Sequence, residues 1–304
     1  MVQAPYRITI ATYALLGATS LVPLLLPKSI TSAHLVTWQP RAGTQRSELA
    51  ITIRDFSSEH PDFNIVPSTG YGATAGCVKQ ALGADGRPVL SGEGWRVTKP
   101  WRNAVGAAVA PHLADAPWRA GCPAIEPGRP GAPGGATDGG INSADTFGQW
   151  FRNVPGVNAT TEYEIHMRRS GTGIWEYVDD EFLPIDGQLL GNEGARHNHF
   201  FTVAFSAEIT YHACARQFIS FAGDDDAWMF IDGSLAIDHG GMLVESEQVV
   251  ELDRLGLEDG QTYRVDFFLA QRQLHRSAFM LRSNVPLSQP RSLAMAPVAG
   301  GTDG

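Results

Sequence analysis

The run Phe221-Ala-Gly-Asp-Asp-Asp-Ala-Trp-Met-Phe-Ile-Asp-Gly233 constrains the fold of this chain more than any other stretch. Trp228 to Ile231 is apolar at every position. In a strand, successive side chains point to opposite faces, so Trp228 and Phe230 share one face and Met229 and Ile231 the other. A strand of that kind has to be covered on both sides, which demands layered β-structure. Asp232-Gly233 then offers a two-residue hairpin turn, with Leu235 to Ile237 as the returning strand. Directly ahead of the strand stand three consecutive carboxylates, Asp224, Asp225 and Asp226. Neighbouring carboxylates repel, and holding them beside a buried strand takes solvent, cationic side chains or a hard cation. Calcium is the natural hard cation, because it accepts six to eight oxygen ligands in irregular loops. A solvated acidic turn is the plain alternative.

The remaining signals are mostly β. Leu49–Ile53, Tyr163–Met167, Thr202–Thr210, Gln217–Phe221 and Tyr263–Phe267 alternate and are bounded by Gly, Pro, Asn or Asp. One helix is predicted over Ser143–Arg152, capped by Ser143, with Phe147, Trp150 and Phe151 on one face. The Gly/Pro-rich stretch 121–140 reads as a flexible surface insertion, and the tail 287–304 as disordered. A net charge of −9 excludes a nucleic-acid binder, which needs a basic face. No polar linker divides the middle of the chain, so 34–286 reads as one elaborated domain.

The start of the chain looks like an export signal. Arg7 supplies positive charge, an apolar run extends from Ile8 to Pro27, and Thr31-Ser-Ala33 offers small residues for cleavage. Residues 1–33 are thus a signal peptide or, uncleaved, an N-terminal anchor and the only membrane contact. Either way the body lies outside the cytoplasm. Three cysteines leave one thiol over in an oxidising compartment. Cys77 and Cys122 bracket a loop-rich region and are the expected disulfide, with Cys214 in the β-core.

Other chemistry-bearing residues carry less. His197 and His199 share a strand face at a spacing a transition metal can use, but no third ligand is near, so they read as structural. Asp179, Asp180 and Glu181 form a second acidic cluster, read as a solvated turn. No nucleophile elbow is present, and the separation of any catalytic carboxylate pair is a three-dimensional quantity.

A set of segments in fixed order carries a family resemblance. They are Glu48–Phe56 with His60-Pro61-Asp62-Phe63, Phe147–Asn158, Phe182–Gly187, Gly191–Gly194, His197–Thr202, the acidic hairpin, and Leu252–Tyr263. Over roughly Leu49 to Ser283 the chain resembles the fibro-slime domain, a relative of the PA14-type β-sandwich lectin fold. The resemblance implies an all-β antiparallel β-sandwich with long loops and one short helix. It implies calcium on an adjacent aspartate pair, Asp224 and Asp225, often joined by a cis peptide, with Asp226 and Asp238 as the nearest further ligands. Asp232, Gly233 and Arg272 also remain from the family's binding rim. The chain departs from the pattern at His239-Gly240-Gly241-Met242-Leu243, at Ala270-Gln271-Arg272-Gln273 and at Ser277-Ala278-Phe279. A carboxylate and an amide are missing there.

The function expected is that of an exported, non-catalytic module for adhesion or carbohydrate binding, calcium-dependent if the resemblance extends that far. Its partner would be an extracellular polysaccharide or a cell-surface glycan. A structural slime or matrix component and a carbohydrate-active hydrolase are the alternatives.

Overall fold

The computed structural model describes residues 46–289 apart from 124–125, 243–244 and 275. The expected signal or anchor at 1–33 lies outside the described residues. In chain order the strands are β1 (Arg46–Phe56), β2 (Thr74–Ala75), β3 (Trp95–Lys99), β4 (Ala132–Ala136), β5 (Asn158–Arg169) and β6 (Trp175–Asp179). They continue as β7 (Phe201–Thr210), β8 (Phe218–Gly223), β9 (Asp226–Ile231), β10 (Ser234–His239), β11 (Ser246–Glu251), β12 (Thr262–Gln271) and β13 (Phe279–Ser283). One short helix, α1 (Ala144–Phe147), accompanies them.

Ten strands form one antiparallel sheet in the order β10-β9-β12-β7-β1-β5-β6-β13-β8-β11, and β2-β3-β4 form a small second sheet. The large sheet folds over on itself. The Gln248 side chain on β11 accepts from Asp238 N at 2.6 Å and donates to Asp238 O at 3.1 Å, clipping the two edge strands together. Residues from both ends of the strand order, among them Ile53, Phe205, Met229, Phe267, Phe279 and Val250, fill the core between the layers. The architecture is the antiparallel β-sandwich expected from the sequence.

β9 is buried at every position, as its composition requires. Ala227, Met229 and Ile231 face the inter-layer core, whereas Trp228 and Phe230 enter a second cluster with Phe56, Phe63, Phe147, Trp150 and Phe268. Helix α1 and the loops around it roof that outer cluster. Fully burying side chains of this size contributes about 1.5–3 kcal/mol each, which makes the outer cluster a second core and not a surface feature.

Four expectations are corrected. The helix ends at Phe147 instead of Arg152. Ser143 caps it through a reciprocal box with Thr146, but the next carbonyls go to side chains. Asn158 Nδ2 donates to Gln149 O and Arg152 O, and Thr202 Oγ1 donates to Trp150 O. Pro155 then forbids continuation. The stretch 121–140 is not wholly an irregular insertion, because β4 lies in it and pairs with β3. The tail is anchored at its start: Leu287 is fully buried, and Ser288 exchanges two backbone hydrogen bonds with Glu208. Residues beyond 289 lie outside the described residues.

The disulfide joins Cys122 to Cys214, not to Cys77. Asp253 gathers the two bonded segments: its backbone oxygen accepts from Arg119 N, and its Oδ1 accepts from Cys214 N. Cys214 therefore sits in a turn after β7 and not within the β-core. Cys77 is a buried free thiol beside Thr74, and burial pushes its pKa up to about 12.

Candidate functional site

The acidic triplet occupies a crossover between layers. β8 and β9 pair with different neighbours at opposite ends of the sheet order, and only Asp224 and Asp225 connect them. Asp225 takes the left-handed conformation (φ 55°), which Asp tolerates better than most residues. The peptide bonds of the described residues are all trans, so the expected cis link is absent.

Asp224 and Asp225 pin the two ends of the β12–β13 link, and Asp226 pins the loop after β10. Asp224 Oδ2 accepts from Ala278 N at 2.8 Å, and Asp225 Oδ2 from Arg272 N at 2.6 Å. Asp226 Oδ1 accepts from Gly241 N at 2.6 Å, while its Oδ2 holds Arg272 through Nε at 2.7 Å and Nη2 at 2.5 Å. Both members of that ion pair are fully buried. Asp62 belongs to the same scaffold, accepting from Asn142 N and from Trp150 Nε1. Burial raises the pKa of Asp224, and lifts that of Asp225 to about 7 even though the Arg272 charge pulls it down.

Asp238 faces the same outer cluster from β10, directly across from Trp228. Its Oδ2 accepts from Gly76 N at 2.8 Å, and its Oδ1 is buried without a hydrogen-bond partner. The Trp228 indole lies near enough to lower the Asp238 pKa in part, but its N–H makes no hydrogen bond of normal geometry. Burial still carries Asp238 up to about 6.

These positions do not fit the expected calcium site. Among the described residues, the group of three ligand-type side chains whose donor atoms converge within 4.8 Å is Glu48, Glu164 and His166, exposed on β1 and β5. Asp224, Asp225, Asp226 and Asp238 form no such group. Both oxygens of Asp226 are already engaged, and the other three carboxylates hold backbone N–H groups.

The expected rim residues also separate. Arg272 is fully buried and faces inward. Asp232 and Gly233, at φ 52° and 73°, form the two-residue β9–β10 turn at the opposite end of β9. Asp232 lies six residues beyond Asp226, roughly 20 Å at about 3.3 Å per residue. They share no site with the triplet.

The structure brings together a group that sequence reasoning did not assemble. Asp180, Glu181, Leu183, His197, His199, Arg276 and Ser277 line a cavity of about 380 Å³. The His197 and His199 rings lie 6.1 Å apart, and His197 Nδ1 is 2.8 Å from Asp186 Oδ2. Asp180 and Glu181 form the exposed turn expected and also wall this cavity, whereas Asp179 is half-buried at the end of β6. Arg276 reaches Glu245 at 3.2 Å and its charge acts on Asp224, so the cavity borders the acidic turn. No periodicity in the sequence marks Arg276 or Ser277, because both come from the irregular link between β12 and β13.

Comparisons with known proteins place this geometry. Residues 185–291 match the PA14 domain. Protein psiD of Dictyostelium discoideum is 31% identical over 246 residues, 78% of this chain and 41% of that protein. Protein psiC of the same organism is 34% identical over 158 residues, 49% of this chain and 30% of that protein. The chain therefore spans less than half the length of either relative. The solved PA14 domain of the MpAFP antifreeze protein aligns over 40% of this chain and 79% of its own length. That alignment has 8% identity and a TM-score of 0.22, too low to carry an argument. The segment that matches the PA14 domain, residues 185–291, holds the acidic crossover, β9, Arg272 and most of the cavity wall.

Proposed function

We propose that this chain is an exported, non-catalytic module for adhesion or carbohydrate binding, with its ligand seated in the cavity beside the acidic turn. The observation that carries the reading is the lining of that cavity. Asp180 and Glu181 supply acceptors, Arg276 supplies donors, Leu183 gives an apolar patch, and Asp186 orients the His197 ring. Ser277 Oγ already donates to Phe182 O, which leaves it an acceptor toward the cavity. Sugar hydroxyls both donate and accept, so a mixed set of this kind suits a polysaccharide or a cell-surface glycan. PA14 domains are typically binding modules. The Cys122–Cys214 disulfide favours an oxidising, extracellular compartment. Calcium has no part in this reading, because the carboxylates of the turn already have partners.

A glycan array with the purified chain tests the proposal. Wild type should bind, and His197→Ala with Arg276→Ala should lose binding while melting normally, since both side chains are partly exposed. Binding that survives the double variant removes the cavity from the reading. A chain that binds no glycan returns to the matrix role, and release of cleaved sugar makes it a hydrolase.

A further inference from the structure

We propose that the Arg272 guanidinium is the resident cation of the acidic turn, supplying from within the chain the positive charge that the resemblance assigns to calcium. A guanidinium has five N–H donors in a fixed planar fork. Four hydrogen bonds hold it: Nε donates to Asp226 Oδ2, Nη2 to Gly139 O, and Nη1 to Asp62 O and Gly140 O, while Nη2 also lies 2.5 Å from Asp226 Oδ2 as an ion pair. The face of the group lies 4.8 Å from the centroid of the Trp150 ring. Its backbone is fixed too, because Arg272 N donates to Asp225 Oδ2 and Asn64 N donates to Arg272 O.

The acceptors form a cage of one carboxylate oxygen and three backbone carbonyls drawn from three separate chain segments. Calcium takes the same classes of donor. The carbonyls of Gly139 and Gly140 come from consecutive residues in the left-handed conformation, at φ 68° and 74°, which glycine adopts at little steric cost. A Cβ added at Gly140 would also crowd Pro67 at 3.1 Å and Met242 at 3.2 Å. An internal cation of this kind cannot be removed by a chelator. This inference does not depend on the glycan reading and holds whichever ligand the cavity takes.

Thermal melting of the intact chain tests it. Wild type should melt at the same temperature in excess calcium and in excess chelator. Arg272→Ala vacates the cage and should melt lower. Calcium or methylguanidinium should raise that melt saturably, because each binds only the folded state. Adding Asp226→Asn to Arg272→Ala should abolish the rescue. A wild-type melt that rises with calcium and falls with chelator overturns the proposal, as does an Arg272→Ala variant that folds and responds to neither cation. Should Arg272→Ala fail to fold under either cation, the wild-type calcium and chelator comparison decides.

Discussion

Trp228→Ala separates a core tryptophan from a sugar-stacking platform. The side chain is fully buried in the outer cluster, its ring centroid 5.8 Å from Phe147 and 6.2 Å from Trp150. Helix α1 and its following turn roof it, so the surroundings have little freedom to collapse into the space left behind. Truncating a buried Trp to Ala costs about 3–5 kcal/mol. In a domain of this size each kcal/mol moves the melting temperature by about 2–4 °C, so the midpoint should fall by roughly 10 °C. Trp228→Phe is the informative companion. The indole N–H makes no hydrogen bond of normal geometry, so losing it removes only its weak influence on Asp238 and the cost should stay well below that of Ala. Melting followed by near-ultraviolet circular dichroism, beside the glycan array, reads both variants. A Trp228→Ala protein that melts like wild type while losing glycan binding would refute the reasoning.

Three further outcomes are expected. Cys214→Ala opens a cross-link spanning 92 residues and should cost about 4–5 kcal/mol in the chain-entropy account, whereas Cys77→Ala leaves the cross-link intact; thiol titration should find one free cysteine on denaturation without reductant, and three would refute the pairing. Burial holds the Asp225 pKa at about 7, against about 3.9 in an unfolded chain. The folded state thus binds this proton more tightly, and the stability it contributes is full below about pH 4 and lost as pH rises through about 7. Asp55 and Asp238, each raised to about 6, act in the same direction, and His239, lowered by burial to about 4, opposes them only below its unfolded pKa of about 6.5. Melting should therefore fall by several degrees from pH 6 to pH 8, and an Asp225→Asn protein with the same fall would remove Asp225 as its source. Asp62→Asn trades one of two acceptor oxygens for a donor facing Trp150 Nε1 or Asn142 N, which should cost about 1–3 kcal/mol by urea unfolding.

What this sequence determined by itself is what repeats locally. Side-chain alternation announced the strands, and an apolar pair on each face of Trp228–Ile231 announced a strand covered on both sides. Asp232-Gly233 announced its turn, Ser143 its cap, and ordered motifs the PA14 relationship. These follow from chain geometry within a few residues, where one conformation excludes the others. The tertiary structure alone decided which partners the charged and sulfur-bearing groups found. Asp226 meets a guanidinium 46 residues away, and that guanidinium meets a carbonyl 210 residues away. Cys122 reaches Cys214 because Asp253 gathers both segments. The sequence could state that three adjacent carboxylates need compensation. It could not state that Arg272 and backbone N–H groups supply much of it, because electrostatic and hydrogen-bond partners are chosen by proximity in space, and strand order sets that proximity.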